Sequence, residues 1–312
     1  MTSLRKIAIH LGLFALTFVT VTLAGVQWLN KDPTELSNFS FGLTYALLIL
    51  LFLLTHEMGH YFAARRHHVE TTLPYFLPFP PYLGIMPFGT FGAVIRIRSE
   101  LRDRRTLFDV GASGPIAGFI ICLLILIWGF THLPPIEYLY GVHPEYRSLS
   151  EIPNEGLRFG EPLLFILMRS LFVSPSAFVP PMNEVYHYPF LCVGWFGAFV
   201  TALNLLPIGQ LDGGHIAYAM FGSRSHRVSQ IVLLCMMILG TLGVLPLLGV
   251  KFSFGWVGWL IWSIVLAFLL RSKRFQHPVL EDVQPLGSAR SSLGWACALI
   301  FVLCFVLVPV SE

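Results

Sequence analysis

The apolar run GLTYALLILLFLLTHEMGHYFAA, residues 42–64, carries two histidines and a glutamate inside a segment long enough to cross a bilayer. His56 and His60 are four residues apart and share one face of a helix, so both imidazoles can bind one metal ion. Glu57 lies beside the first histidine, where it can take a proton from a water molecule. Ionisable groups inside a spanning helix are costly and usually mark function. The alternative is a histidine pair hydrogen-bonded to neighbouring helices.

The composition is typical of an integral membrane protein. Of the 312 residues, 55% are hydrophobic and 12% are charged, whereas soluble domains carry about 25% charged residues. The mean hydropathy is +0.71. The five cysteines are scattered singly through apolar stretches, which indicates neither a disulfide framework nor a thiolate metal site. A net charge of +3 is too small and too dispersed to indicate a nucleic-acid partner.

Seven apolar windows predict an all-α polytopic membrane protein with about six or seven transmembrane helices. The fourth and sixth windows are short. The apolar segment 162–173 is too short to span, so we expect it to be interfacial or re-entrant. Residues 1–29 continue past the length of a signal-peptide core, which favours a retained first helix over a cleaved signal. The seven windows are residues 7–29, 42–64, 109–130, 190–206, 229–250, 256–270 and 291–310.

The basic residues predict the orientation, because lysine and arginine accumulate in cytoplasmic loops. With the N-terminus inside, 15 of the 20 basic residues fall in inside segments, and the loop from Arg96 to Arg105 is the strongest anchor. Residues 131–189, rich in Pro, Glu and Tyr, then form an extracytoplasmic loop. The predicted location is a bacterial inner membrane, with a plastid membrane as the alternative.

A third metal ligand is predicted near the inner end of the fourth window. A metal ion that activates water usually has three protein ligands and one open position. The sequence ALNLLPIGQLDGGH, residues 202–215, contains Pro207 and three glycines that break a helix. We expect a turn there that carries Asp212 to the depth of the two histidines, roughly 10–15 Å below the cytoplasmic surface. His215 is interpreted as a loop histidine at the interface.

These two motifs together resemble the site-2 protease family of intramembrane metalloproteases. The resemblance rests on His56-Glu57-x-x-His60 in one apolar helix and on Asn204-x-x-Pro207-x-x-x-Leu211-Asp212-Gly213 in a later segment. The segments 89–95 and 111–118 are similar to further blocks of that family, especially its branch without a PDZ domain. The match covers about 42–130 and 190–220, which the resemblance identifies as the catalytic core.

We expect a single membrane domain over residues 1–312. The resemblance implies that this domain hydrolyses peptide bonds in or near transmembrane segments of membrane proteins. It implies one Zn²⁺ held by His56, His60 and Asp212, with Glu57 as general acid and base. Iron or cobalt can occupy the same ligand set. Asn204 is either a donor to the reaction oxyanion or substrate backbone, or part of an interhelical hydrogen bond. Residues 229–310 are interpreted as accessory transmembrane helices within the lipid bilayer.

A re-entrant, β-like hairpin is predicted after the second helix. Residues 73–97 are rich in Pro and Gly and end in the strand-like sequence 90–97. Irregular backbone at membrane depth is tolerated only where protein or a water-filled cavity covers it. The free edge of such a hairpin could pair with an unwound substrate segment. The alternative is an amphipathic cytoplasmic loop.

Three other functions fit these motifs less well. A metal transporter should carry ionisable residues along a route across the membrane, whereas here they cluster at one depth. A CAAX-processing type of membrane protease typically uses glutamate as the third ligand, which the Leu211-Asp212-Gly213 block argues against. A catalytically silent scaffold would not need His56, Glu57, His60 and Asp212, and all four are present, which argues against that function. His67 and His68 are interpreted as a solvated helix end, and Glu184 and His187 are excluded as ligands of this site because they lie on the other membrane face.

Overall fold

The computed structural model describes residues 3–81, 88–99, 101, 103–250, 254–271, 280 and 284–311. These residues are mainly α-helical, with two short antiparallel β pairs. The helices are α1 (Ser3–Trp28), α2 (Leu43–Arg66), α3 (Arg104–Thr131), α4 (Ile136–Val142), α5 (Leu163–Phe172), α6 (Pro189–Asn204), α7 (Asp212–Phe221), α8 (Ser225–Leu242), α9 (Val257–Leu270) and α10 (Ser288–Cys304). The strands are β1 (Tyr75–Pro78), β2 (Thr90–Val94), β3 (Arg158–Phe159) and β4 (Val310–Ser311).

The helices are those of an integral membrane protein. Among the described residues, four helical segments are long and apolar enough to cross a bilayer. Large apolar side chains such as Leu11, Leu47 and Leu124 are more than half exposed on the outside of the bundle, as lipid contact requires. The shorter apolar helices α6, α9 and α10 have 16, 14 and 17 residues, so the number of spans stays a prediction. The four long segments are Leu4–Trp28, Leu36–Arg66, Arg104–Thr131 and Asp212–Leu248.

Helix α3 lies at the centre of the bundle, in contact with α2, α6 and α7. It begins after Asp103, whose carboxylate accepts a hydrogen bond from the Thr106 backbone N–H at 2.8 Å and so caps the first turn. Small residues allow α2 and α3 to approach closely. A Cβ on Gly59 of α2 would lie 2.5 Å from the Ser113 carbonyl oxygen of α3, so any other residue at this position would clash.

Strands β1 and β2 form an antiparallel hairpin after α2, with a bulge in the register before Pro78. The hairpin packs against α1. The Thr20 hydroxyl, deep within α1, donates to the Gly89 carbonyl at 2.7 Å, and the His10 ring stacks on Tyr75 with centroids 4.0 Å apart. A spanning helix therefore covers one side of the hairpin. Residues 82–87, the expected tip, lie outside the described residues.

Segment 131–189 contains α4, α5 and β3. Helix α5 buries Leu164, Phe165 and Met168, and it packs against α3 and α10. Strand β3 pairs with β4 near the C-terminal end of the chain. The long polar segment is therefore fastened to the bundle rather than extended away from it.

The chain departs from the sequence expectation after α6. Asp212 is the first residue of helix α7 rather than part of a turn, because Leu211 has extended backbone (φ −67°, ψ 157°) and a new helix begins directly after it. Gly213 and Gly214 lie against backbone carbonyls of the segment between α6 and α7, where a side chain would clash. His215 was expected in a loop, but it lies one turn along α7 and faces Gly111.

Candidate metal centre

His56, His60 and Asp212 meet where α2 approaches the start of α7. The two Nε2 atoms are 3.1 Å apart, and each lies 3.3 Å from Oδ2 of Asp212. Both histidines are buried, with 4% and 7% of their surface exposed. Side chains that are 152 and 156 residues apart in sequence are thus brought to a single point. The three atoms form one of two groups among the described residues that can hold a metal ion.

The ring orientation of His60 is fixed by α3. Its Nδ1 lies 2.7 Å from the Val110 carbonyl oxygen. A carbonyl only accepts, so Nδ1 carries the hydrogen and Nε2 presents its lone pair toward Asp212. A backbone carbonyl behind a histidine is a common way to orient a metal ligand. Nδ1 of His56 is buried with no hydrogen-bond partner among the described residues.

The donor set fits a zinc ion. Zinc is bound by histidine nitrogen and carboxylate oxygen at about 2.0–2.2 Å, and tetrahedral ligands at that length are about 3.3 Å from one another. The observed separations of 3.1 and 3.3 Å match this spacing. Two lone-pair nitrogens and a carboxylate oxygen converging in a buried site would otherwise repel one another. The residues therefore fit the metal that their chemistry suggests.

The β1–β2 hairpin positions the carboxylate of Glu57. Its Oε2 accepts a hydrogen bond from the Ile95 backbone N–H at 2.9 Å, one residue beyond the end of β2. The glutamate is 7% exposed. Sequence analysis paired Glu57 with the metal but did not predict this contact. The only signal was that residues 89–95 match a family block.

Asn204 ends α6 and lies beside the metal ligands. Its Nδ2 is 3.3 Å from Nε2 of His56. The amide is therefore in the site, within reach of a group bound to the metal. It also bridges α6 and α2, so this geometry is compatible with both predicted roles.

The glycine face of α3 lies against the histidines. A Cβ on Gly114 would overlap the His60 ring, and a Cβ on Gly118 would lie 3.1 Å from Nδ1 of His56. Gly111 lies against His215 and the Asp212 carbonyl. The helix that this glycine face allows to come close is the one that carries the two histidines.

The family model described as "Peptidase family M50" matches residues 44–243 of this chain. That range includes α2, the hairpin, α3, α6, α7 and α8. The match covers more than half of the chain and contains all of the candidate metal ligands. The chain belongs to peptidase family M50.

Two plant relatives illustrate the family similarity. The chain is 30% identical over 264 residues to the probable zinc metalloprotease EGY2, chloroplastic, of Oryza sativa subsp. indica, covering 84% of this chain and 42% of the relative. It is 27% identical over 332 residues to the probable zinc metalloprotease EGY1, chloroplastic, of Arabidopsis thaliana, covering 99% of this chain and 54% of the relative. The chain thus spans about half the length of these curated relatives.

Proposed function

We propose that this chain is a zinc metalloprotease that hydrolyses peptide bonds in or beside transmembrane segments of membrane proteins. The observation that carries the proposal is the convergence of His56, His60 and Asp212, with Glu57 adjacent, inside apolar helices of a chain from peptidase family M50. The membrane location of these helices makes membrane proteins the natural substrates. The relatives named above are described as probable zinc metalloproteases, which supports the same activity.

In this proposal His56, His60 and Asp212 hold the zinc ion. Zinc supplies Lewis-acid chemistry when bound, since it lowers the pKa of water and polarises the scissile carbonyl. The Val110 carbonyl keeps His60 in the tautomer that presents Nε2. Burial of the site by α2, α3 and α7 excludes bulk water and strengthens every charge interaction within it.

Glu57 is proposed as the general base and then the general acid. Its carboxylate takes a proton from the attacking water and later gives it to the leaving amine. The Ile95 N–H binds one oxygen, Oε2, at 2.9 Å and fixes the position of the carboxylate. The other oxygen, Oε1, can then receive the proton. The contact also couples the hairpin position to the base.

The hairpin is proposed to be re-entrant and to present substrate to the site. Strand β2 ends at Val94, one residue before the N–H that holds Glu57. Among the described residues β2 pairs only with β1, so its other edge has no strand partner, and its side chains Phe91 and Val94 are 56% and 48% exposed. A substrate segment that unwinds can add to an exposed strand by backbone hydrogen bonds. Peptides N-methylated at alternate residues should then be cut poorly, and equal cutting of all N-methylated peptides would exclude this binding mode.

Residues 1–312 are proposed to form one membrane domain. Residues 42–130 and 190–220 form the catalytic core, 131–189 lie on the extracytoplasmic side, and 229–310 add accessory helices. The N-terminus and the metal centre face the cytoplasmic side of a bacterial inner membrane, or the corresponding side of a plastid membrane. The chloroplastic names of the relatives favour neither orientation.

The test compares wild type with Glu57→Gln in cleavage of a fluorogenic transmembrane peptide in detergent. We expect chelator-sensitive cleavage that falls by at least about 100-fold in the variant, with zinc content equal to that of wild type. Glu70→Gln is the matched control, since Glu70 is an exposed carboxylate four residues past the end of α2. Cleavage that survives chelation excludes the metalloprotease, and an active Glu57→Gln excludes this base.

The same assay separates the two roles of Asn204. An Asn204→Ala chain that keeps its zinc but loses turnover supports a donor to the oxyanion. A chain that melts at lower temperature, with unchanged turnover per bound zinc, supports the interhelical contact instead.

A further inference from the structure

A second cluster of metal-binding side chains lies in segment 131–189, away from the candidate zinc site. His143 follows α4, and Glu184 and His187 precede α6. Nε2 of His143 is 3.0 Å from Nε2 of His187 and 3.9 Å from Oε2 of Glu184, and His187 Nε2 is 3.4 Å from the same oxygen. These three residues form the other candidate metal group among the described residues.

The hydrogen bonds behind the rings orient both Nε2 atoms toward one point. Nδ1 of His187 lies 2.5 Å from the Trp28 carbonyl oxygen, and Nδ1 of His143 lies 2.8 Å from Oε1 of Glu145. Both partners are acceptors, so each Nδ1 carries a hydrogen, and Nε2 is then the atom of each ring that can bind a cation. Two ring nitrogens only 3.0 Å apart need a proton or a metal ion between them.

The third member of the cluster is a buried carboxylate with one unpartnered oxygen. Glu184 is 2% exposed. Its Oε1 accepts from the Tyr146 hydroxyl at 3.1 Å and from the Asn183 amide at 3.2 Å. Its Oε2 has no hydrogen-bond partner among the described residues and is the oxygen that faces the histidines. A buried, unpaired carboxylate oxygen is costly unless a cation compensates it.

The structure points to a second divalent metal site formed by His143, Glu184 and His187, and we propose that it binds a zinc-class ion. Two histidines and a glutamate are a zinc donor set. The three separations of 3.0, 3.4 and 3.9 Å surround the spacing of about 3.3 Å expected for tetrahedral zinc ligands. Each donor also has a partner that orients it, as metal ligands usually do: a backbone carbonyl, a carboxylate or a hydroxyl.

The site joins three parts of the chain that are distant in sequence. Its residues come from the turn after α4 and from the segment before α6, and the Trp28 carbonyl belongs to the last residue of α1. A bound ion would therefore clamp segment 131–189 onto the first helix. The cluster precedes α6, whereas Asn204 of the candidate catalytic site ends it. The 16 residues of α6 place the two sites roughly 24 Å apart.

A metal-free arrangement makes a different prediction. A protonated Glu184 could donate to one histidine and remove the need for a cation, since burial raises the pKa of its carboxyl. Such a site would bind no metal. Metal stoichiometry therefore decides between the two arrangements without any measurement of proteolysis.

The experiment is elemental analysis of the purified full chain after equilibration with zinc and removal of excess. We expect two zinc ions per wild-type chain and one per His56→Ala/His60→Ala chain. Adding His143→Ala to that double variant should remove the remaining ion. His132→Ala is the matched control in the same background, because His132 is an exposed histidine of the same segment outside the cluster.

Each result separates this site from the catalytic one. Zinc that falls from two to one with His143→Ala alone supports the proposal even if the chain cuts nothing. A wild-type chain with one zinc, unchanged by His143→Ala or by Glu184→Gln, overturns it. Glu184→Gln keeps the size and the hydrogen-bonding edge of the side chain, so it guards against a misfolded His143→Ala chain. One zinc lost with His143→Ala and none with His56→Ala/His60→Ala would instead overturn the catalytic site.

Discussion

Gly114 and Gly118 make room on α3 for the histidines of α2. A side chain at Gly114 would occupy the volume of the His60 ring, while one at Gly118 would only touch His56 at 3.1 Å. The two glycines are one turn apart on α3, so they face successive histidines of α2. The His60 ring therefore fits only because Gly114 has no side chain.

We expect Gly114→Ala to reduce zinc binding at the candidate catalytic site. The added methyl group must push the His60 ring or separate α2 from α3, and such overpacking costs about 1–3 kcal/mol. Zinc content and cleavage should both fall. Gly12→Ala is the control, because a Cβ at Gly12 meets no atom within 4 Å among the described residues. Equal zinc content in the two variants would show that the contact yields without loss.

At the scale of elements, Arg104 fixes α7 and so the position of Asp212. Its Nε donates to the Ala219 carbonyl at 2.5 Å and its Nη2 to the Met220 carbonyl at 2.9 Å. These carbonyls belong to the last turn of α7, where a cation also complements the helix dipole. Asp212 is at the other end of the same ten-residue helix. A side chain at the start of α3 thus holds the helix that provides the third ligand.

Replacing Arg104 with glutamine should loosen α7 and weaken zinc binding. A hydrogen bond from a charged donor contributes about 1.5–3 kcal/mol to stability. Arg104 is partly exposed, and solvent screening reduces this contribution to roughly 1 kcal/mol. That corresponds to about fivefold weaker zinc affinity, measured by competition with a chromogenic chelator. Arg105→Gln is the matched control, since the side-chain hydrogen bonds of Arg105 to the described residues go only to the exposed Pro285 carbonyl, at 3.3 and 3.4 Å. Equal affinities in the two variants would show that α7 is held by packing alone.

The sequence predicted the helices well where apolar length decides the element. Each of the seven apolar windows contains a helix, and a β hairpin follows α2, while its re-entrant course stays a prediction. It did not predict α7, because Pro207 and three nearby glycines indicate a break, and whether a helix restarts depends on packing against α3. Nor did it predict that His67, expected at a solvated helix end, bonds to Asp109 at 2.8 Å. Such pairs depend on which helices meet.

At the scale of the molecule, the two metal groups differ in how far sequence could reveal them. His56 and His60 are visible because helical spacing alone brings their side chains together. Asp212 was expected from the helix break at Pro207 and from the family resemblance. The structure brings all three residues together, while their catalytic roles stay predictions. His143 and His187 are 44 residues apart in a loop-rich segment without a motif. No sequence periodicity connects these two histidines, so their proximity is visible only in the structure.

The orientation of the whole chain can be tested by labelling from the two sides of the membrane. If α6 crosses the bilayer, segment 131–189 and the loop after α7 lie on opposite faces. Ser150 and Ser223 are exposed in these two regions, and Cys235 is the one exposed cysteine among the free cysteines. In a Cys235→Ala background, we expect a membrane-impermeant maleimide to label Ser150→Cys in intact cells. Ser223→Cys should react only after permeabilisation.

The labelling outcome also bears on both metal sites. The predicted pattern places the second cluster in contact with the extracytoplasmic solution and the candidate catalytic site near the cytoplasmic face, which the basic loops predict. The reverse pattern would invert the orientation and require substrate and water to enter from the other side. Labelling of both cysteines from one side would mean that α6, with 16 residues, does not cross the bilayer. The two metal sites would then share one face, and the proposed division into catalytic core and extracytoplasmic loop would fail.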